Sequence, residues 1–138
     1  MNDSIYLGNP NLKKANTPIE FTEEQIVEFL KCKDDPVYFA RKHIKIVSID
    51  EGLVPFDMYD FQEKLIKNFH EARFNICKMP RQTGKSTTCV SYLLHYAIFN
   101  DNVNVAILAN KASTARDLLG RLQLAYENLP GWMQQGII

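Results

Sequence analysis

The segment CKMPRQTGKSTTCV, residues 77–90, restricts the possible folds more than any other part of the chain. Its Gly84-Lys85-Ser86 follows the apolar run FNICKM and opens a stretch, 85–99, in which Cys89, Val90, Leu93, Leu94, Ala97 and Ile98 form one stripe at helical spacing. A glycine-bearing turn between an apolar strand and an amphipathic helix is the setting in which helix N-terminal amides hold phosphate. The usual spacing, G-x-x-x-x-G-K-[ST], puts a first glycine at position 79, where this chain has Met79. A glycine there would relax the turn, so its absence costs conformational freedom but removes no phosphate donor. Pro80 fixes the backbone instead.

Each residue of the turn has an expected role. Gly84 lets the backbone approach the phosphates, with the amides near Thr83 and Gly84 as the cradle. Lys85 reaches the β- and γ-phosphates, and the Ser86 hydroxyl ligates Mg²⁺. Arg81 stands four residues before Lys85, where a guanidinium bridges phosphate oxygens or neutralises charge in phosphoryl transfer. The competing reading has Arg81 paired with a nearby carboxylate.

The rest of the chain fits an α/β order. VNVAILA, 103–109, is a nearly continuous apolar run of the kind buried on both faces of a parallel sheet. A helix over 113–127 follows, with Ser113 as its N-cap and Ala115, Leu118, Leu119, Leu122 and Tyr126 inward. From residue 74 the order is strand, loop, helix, strand, helix, which predicts a right-handed βαβ unit. Upstream, residues 1–21 are rich in Asn, Pro and Lys and predict a flexible arm. FTEEQIVEFLKCK starts a helix with Thr22 as N-cap, Gln25 three residues on, and Ile26, Val27 and Leu30 on one face. Asp35-Pro36 caps a second helix. IKIVSI, 44–49, predicts a strand and DEG, 50–52, a turn. YDFQEKLIKNFHEA then predicts a helix with Asp60 as cap and Phe61, Leu65, Ile66 and Phe69 inward. Leu129-Pro130-Gly131 ends the last helix, and GWMQQGII suggests entry to a further strand.

Sixteen basic and sixteen acidic residues cancel, so no chain-wide positive field draws in nucleic acid, and a DNA partner needs a local patch. Cys32, Cys77 and Cys89 form no C-x-x-C pair, and His43, His70 and His95 lack metal-ligand spacing. They are expected to be reduced thiols and core or surface histidines. The N-terminus has no signal-like apolar region and no run is long enough to span a membrane, which suggests a soluble protein made where it works.

MPRQTGKST, preceded by VPFDMYDFQEKLI and followed by VNVAILANKASTARDLLGRL, resembles the large terminase subunit of T4-like tailed bacteriophages. The resemblance runs from about residue 28 to the end and is most specific around RQTGKS, because the family's phosphate loop opens with an Arg-Gln pair. It implies an incomplete P-loop NTPase (RecA/ASCE-like) parallel sheet with flanking helices over residues 22–138, preceded by a short helical region. It implies a DNA-packaging ATPase in the host cytoplasm that uses ATP and Mg²⁺ and carries an endonuclease domain. Double-stranded DNA, a portal protein and a small terminase would be its partners, with a ring in the assembled motor. Carried over, Arg81 and Lys85 are catalytic, and Gln82, Thr83, Gly84, Lys85, Ser86 and Thr87 bind nucleotide. Gln62 would read adenine through its carboxamide. Tyr59 or Phe61 could pack on the ring, although core packing is their expected role.

Asn110, Lys111 and Ser113 follow the next strand. The family's Asp-Glu pair and nuclease cluster have no counterpart in these residues, and Asn110 is a poor substitute Mg²⁺ ligand. Asp101, Asp117 and Glu127 have no evident route to the turn. The chain alone is therefore not expected to hydrolyse ATP. A superfamily 2 helicase-like ATPase portion and a non-catalytic nucleotide-binding adaptor are the competing readings.

Overall fold

The computed structural model describes residues 5–134. Among these residues the protein is mostly helical, with two separate two-stranded antiparallel sheets. The first is a hairpin of β1 (Ile5–Tyr6) and β2 (Asn9–Lys13). Its two-residue turn has Leu7 at φ 48° and Gly8 at φ 76°, the left-handed pair that matches strand twist. Leu12 is buried, and Lys13 Nζ donates to the carbonyls of Gly131 (2.6 Å) and Gln134 (3.3 Å). Gln134 Nε2 in turn donates to Asn11 O at 3.0 Å. The part of the predicted arm from residue 5 to 13 is thus tied to the other end of the described chain. Residues 1–4 and 135–138 lie outside the described residues.

Helices α1 (Glu23–Asp34) and α2 (Pro36–His43) start where local chemistry directs. Thr22 Oγ1 accepts from Gln25 N at 3.2 Å while Gln25 Oε1 accepts from Thr22 N at 3.1 Å, a complete capping box. Asp35 Oδ1 accepts from the amides of Val37 (3.0 Å) and Tyr38 (3.1 Å), with Pro36 in the first turn. The face of α1 is not the expected one, however. Ile26, Val27 and Leu30 are exposed, and Phe29 and Cys32 turn inward.

The second sheet pairs β3 (Lys45–Ser48) with β4 (Gly52–Pro55), from Lys45 opposite Pro55 to Ser48 opposite Gly52. Gly52, at φ 75°, closes the connection. Helix α3 (Asp60–Glu71) has Tyr59, not Asp60, at its N-cap position. Helices α4 (Lys85–Phe99) and α5 (Ala112–Glu127) complete the chain. α4 lies at the centre, packed against α2, α3 and α5. It contributes Leu94, Ile98 and Phe99 to a core shared with Phe39, Ile44, Phe56, Ile66, Leu129 and Met133. Residues 131–134 form a turn rather than the start of a strand, with Met133 and Gln134 buried.

The predicted α/β architecture is corrected here. Residues 74–79 and 103–109 bracket α4 as expected, yet neither joins a sheet, and they form no ladder with each other. Ile76 is 100% and Leu108 89% exposed, where burial on both faces was expected. A strand exists only through bonds to a second segment, and none of the described residues supplies one. The parallel sheet of an incomplete P-loop NTPase is therefore overturned. With it falls the identification of the turn as the Walker A element of a P-loop ATPase, because that identity rests on a paired strand before the loop.

Candidate functional site

The turn between Pro80 and Lys85 keeps a defined shape without a sheet beneath it. Gln82 sits at φ 60° and Gly84 at φ 76°. The first is sparsely populated by non-glycine residues and the second is natural to glycine. Thr83 Oγ1 donates to Pro80 O at 3.0 Å, closing the turn on itself. Lys85 Nζ folds back to Met79 O at 3.2 Å. Gly84 is the N-cap of α4, offers no side chain to the first-turn amides, and is followed by no acidic residue in that turn. The first-turn amides thus receive neither a cap side chain nor an acidic neighbour in that turn, at the positive end of a 15-residue helix.

Gln62 locks this turn to α3. Its Oε1 accepts from Tyr59 N at 2.9 Å and its Nε2 donates to Gly84 O at 3.3 Å. The same carbonyl accepts from Thr88 N (3.0 Å) and Thr88 Oγ1 (2.8 Å). The backbone angle favours glycine here, and a Cβ added to Gly84 would push aside Gln62 Nε2, the end of the side chain that bonds to Gly84 O. Gln62 is 3% exposed, and both ends of its carboxamide are engaged within the chain.

Tyr59 and Phe61 are not core residues. Their rings stack at 5.8 Å with 10° between planes, and Tyr59 is 70% exposed. This open aromatic pair stands at the same end of α3 that Gln62 ties to the turn.

The remaining site residues are less convergent. Arg81 and Gln82 are exposed, and Thr83, Ser86 and Thr87 half-buried. Among the described residues, the ion pairs include neither Arg81 nor Lys85. Thr87 also lines a cavity of about 280 Å³ with Ile44–Val47, Arg121 and Leu124. Asn110, Lys111 and Ser113 are all exposed, and Lys111, not Ser113, is the N-cap of α5.

A second grouping escaped the sequence reading. Glu28 and Cys32 lie one turn apart on α1, and His43 ends α2, so the α1–α2 pairing brings all three together. One ligand atom from each lies within 4.8 Å of the others, and among the described residues this is the group of three or more His, Cys, Asp or Glu placed to hold a metal. Burial opposes charge on Glu28, but hydrogen bonds from His43, Lys42 and Tyr38 outweigh it and bring the carboxyl down to about 2. Burial, reinforced by Glu28, pushes the Cys32 thiol up to about 12. The signal available in sequence was the four-residue spacing of Glu28 and Cys32 on a confidently capped helix.

His95 is buried under Phe39 and Phe99, its Nε2 2.8 Å from Cys32 O, and burial lowers its pKa. Its Nδ1, like Ser91 Oγ, has no hydrogen-bond partner among the described residues. No protein-family model matches the chain.

Proposed function

We propose that the turn from Arg81 to Thr87 binds the polyphosphate of ATP, with the adenine ring against Tyr59 and Phe61. The resemblance described above extends this reading: the chain would serve as the nucleotide-holding part of a viral DNA-packaging motor of the large-terminase kind. Double-stranded DNA, portal protein and small terminase would be that motor's partners. The observation that carries the proposal is the link made by Gln62. Its side chain joins Gly84, at the uncapped start of α4, to the end of α3 where the exposed aromatic pair stands. That link would hold an anion-binding end and a ring-binding surface at one place.

Lys85 and Arg81 supply positive charge that no carboxylate among the described residues neutralises. Lys85 would exchange the Met79 carbonyl for phosphate oxygen, a stronger charge-assisted bond. Mg²⁺ would be held by the Ser86 hydroxyl, the nucleotide's phosphates and water. Gln62 would position the turn, with adenine contact limited to the amide hydrogen not already engaged.

Calorimetry and hydrogen exchange with Mg–ATP test this. Binding should slow exchange across residues 79–86. Lys85→Ala should weaken it about tenfold or more, the loss of one charge-assisted contact. Tyr59→Ala with Phe61→Ala should weaken ATP but leave inorganic tripolyphosphate unaffected. Neither heat nor protection with either anion would defeat the proposal.

A further inference from the structure

We propose that Glu28, Cys32 and His43 form a binding site for a divalent transition metal of the zinc type, a second site unrelated to the nucleotide reading. The argument begins with an excess of donors. Glu28 Oε1 is approached by Lys42 Nζ at 3.0 Å, His43 Nε2 at 2.9 Å and Cys32 Sγ at 3.8 Å, while Tyr38 Oη lies 2.9 Å from Oε2 and 3.1 Å from Oε1. A carboxylate oxygen offers about two lone-pair directions. Three groups crowd that one oxygen, and two of them, thiol and imidazole, are better known as metal ligands.

A metal resolves the crowding. It takes the place of the protons on Cys32 Sγ and His43 Nε2 and turns both from competing donors into ligands beside Glu28. Carboxylate oxygen, thiolate sulfur and imidazole nitrogen form a ligand set suited to zinc. Tetrahedral bonds of ordinary length put such atoms about 3.3–3.6 Å apart. The present spread, from 2.9 Å to within 4.8 Å, needs shifts of an ångström or so. The site is also sheltered: Cys32 is fully buried, and the side chains of His43 and Glu28 are only 9% and 19% exposed.

The balance of charge and protons is explicit. The metal's two positive charges meet one carboxylate and one thiolate, leaving the buried site neutral. The sulfur–hydrogen bond breaks, a sulfur–metal bond forms, and the proton passes to solvent. His43 binds through Nε2 as neutral imidazole with its one proton on Nδ1, so a proton held on Nε2 in the metal-free ring moves to Nδ1 or, if the ring is charged, to solvent. Lys42, whose side chain is half exposed, withdraws to water, and Tyr38 Oη remains to hold a water in the fourth position.

Cobalt is the probe, added to the tag-free full chain carrying Cys77→Ser and Cys89→Ala so that one thiol remains. One equivalent should bind, with thiolate-to-cobalt charge-transfer absorption, tetrahedral visible bands and net proton release. Zinc should bleach the spectrum and raise the melting temperature. Cys32→Ser should abolish the charge-transfer band. Should that variant lose its helical circular dichroism, His43→Gln decides, with an expected weakening of cobalt binding of about tenfold or more. Absence of the band with cobalt in excess, its persistence in Cys32→Ser, or unchanged affinity in His43→Gln would overturn the proposal.

Discussion

The helical core and the two apolar segments around α4 draw on the same kinds of apolar residue and meet opposite fates. Phe39, Ile66 and Leu94 are sealed inside, while Phe74, Ile76 and Leu108 face water. Helices satisfy their own backbone and need only a neighbour to cover one stripe. An extended segment needs a neighbour even to satisfy its backbone. The contrast teaches that hydrophobicity marks what can be buried, and pairing decides what is.

Substitution is the most forceful way to break this comparison. Phe39→Ala should cost about 3–5 kcal/mol, through lost transfer energy and a cavity against Phe99 and His95. Ile76→Ser should change stability by no more than about 0.5 kcal/mol. Urea midpoints measure both. A loss of more than about 1 kcal/mol in Ile76→Ser would mean that this segment is packed in solution.

Legibility in the sequence follows the same division. Thr22 with Gln25, and Asp35 with Pro36, announced the starts of two helices to the residue, because a cap is a contract among four neighbours. The bounds of α4 were equally readable from Gly84 and Asn100. The β4 strand was missed because Gly-Leu-Val-Pro is short and contains proline, and only its partner β3 makes it a strand. VNVAILA was misjudged since a continuous apolar run looks alike whether paired or bare. The turn's residues were found individually, but the Gln62 strut and the exposure of Tyr59 depend on how α3 meets α4. The Glu28–Cys32–His43 group depends likewise on how α1 crosses α2.

A smaller effect comes from acid. Glu28 has its carboxyl lowered from 4.5 to about 2 in the fold, so its contribution is complete above the ordinary value and lost as pH falls toward 2. With allowance for water at the rim, about 1–2 kcal/mol should disappear over that range. Glu28→Gln should remove this part of the pH dependence of urea midpoints. His95, whose pKa is also lowered, adds a separate loss as pH drops through and below its usual 6.5. That loss should persist in Glu28→Gln. An unchanged acid limb in the variant would mean that the Tyr38–Lys42–His43 contacts do not hold the carboxylate in solution.

The smallest effect sets one capped helix against one that the sequence only promised to cap. Asp35 Oδ1 receives two amides at the start of α2, and Asp35→Ala should cost about 1 kcal/mol. Ser113 has the composition of a cap but falls inside α5, one residue past Ala112, with Lys111 in the capping position. A serine within the first turn gains little from its hydroxyl, and alanine is the better helix former by a few tenths of a kcal/mol. Ser113→Ala should therefore be neutral or slightly stabilising in thermal unfolding. If it instead cost as much as Asp35→Ala, α5 would begin two residues later in solution. The sequence reading of that boundary would then be the right one, and Lys111 would belong to the segment before the helix.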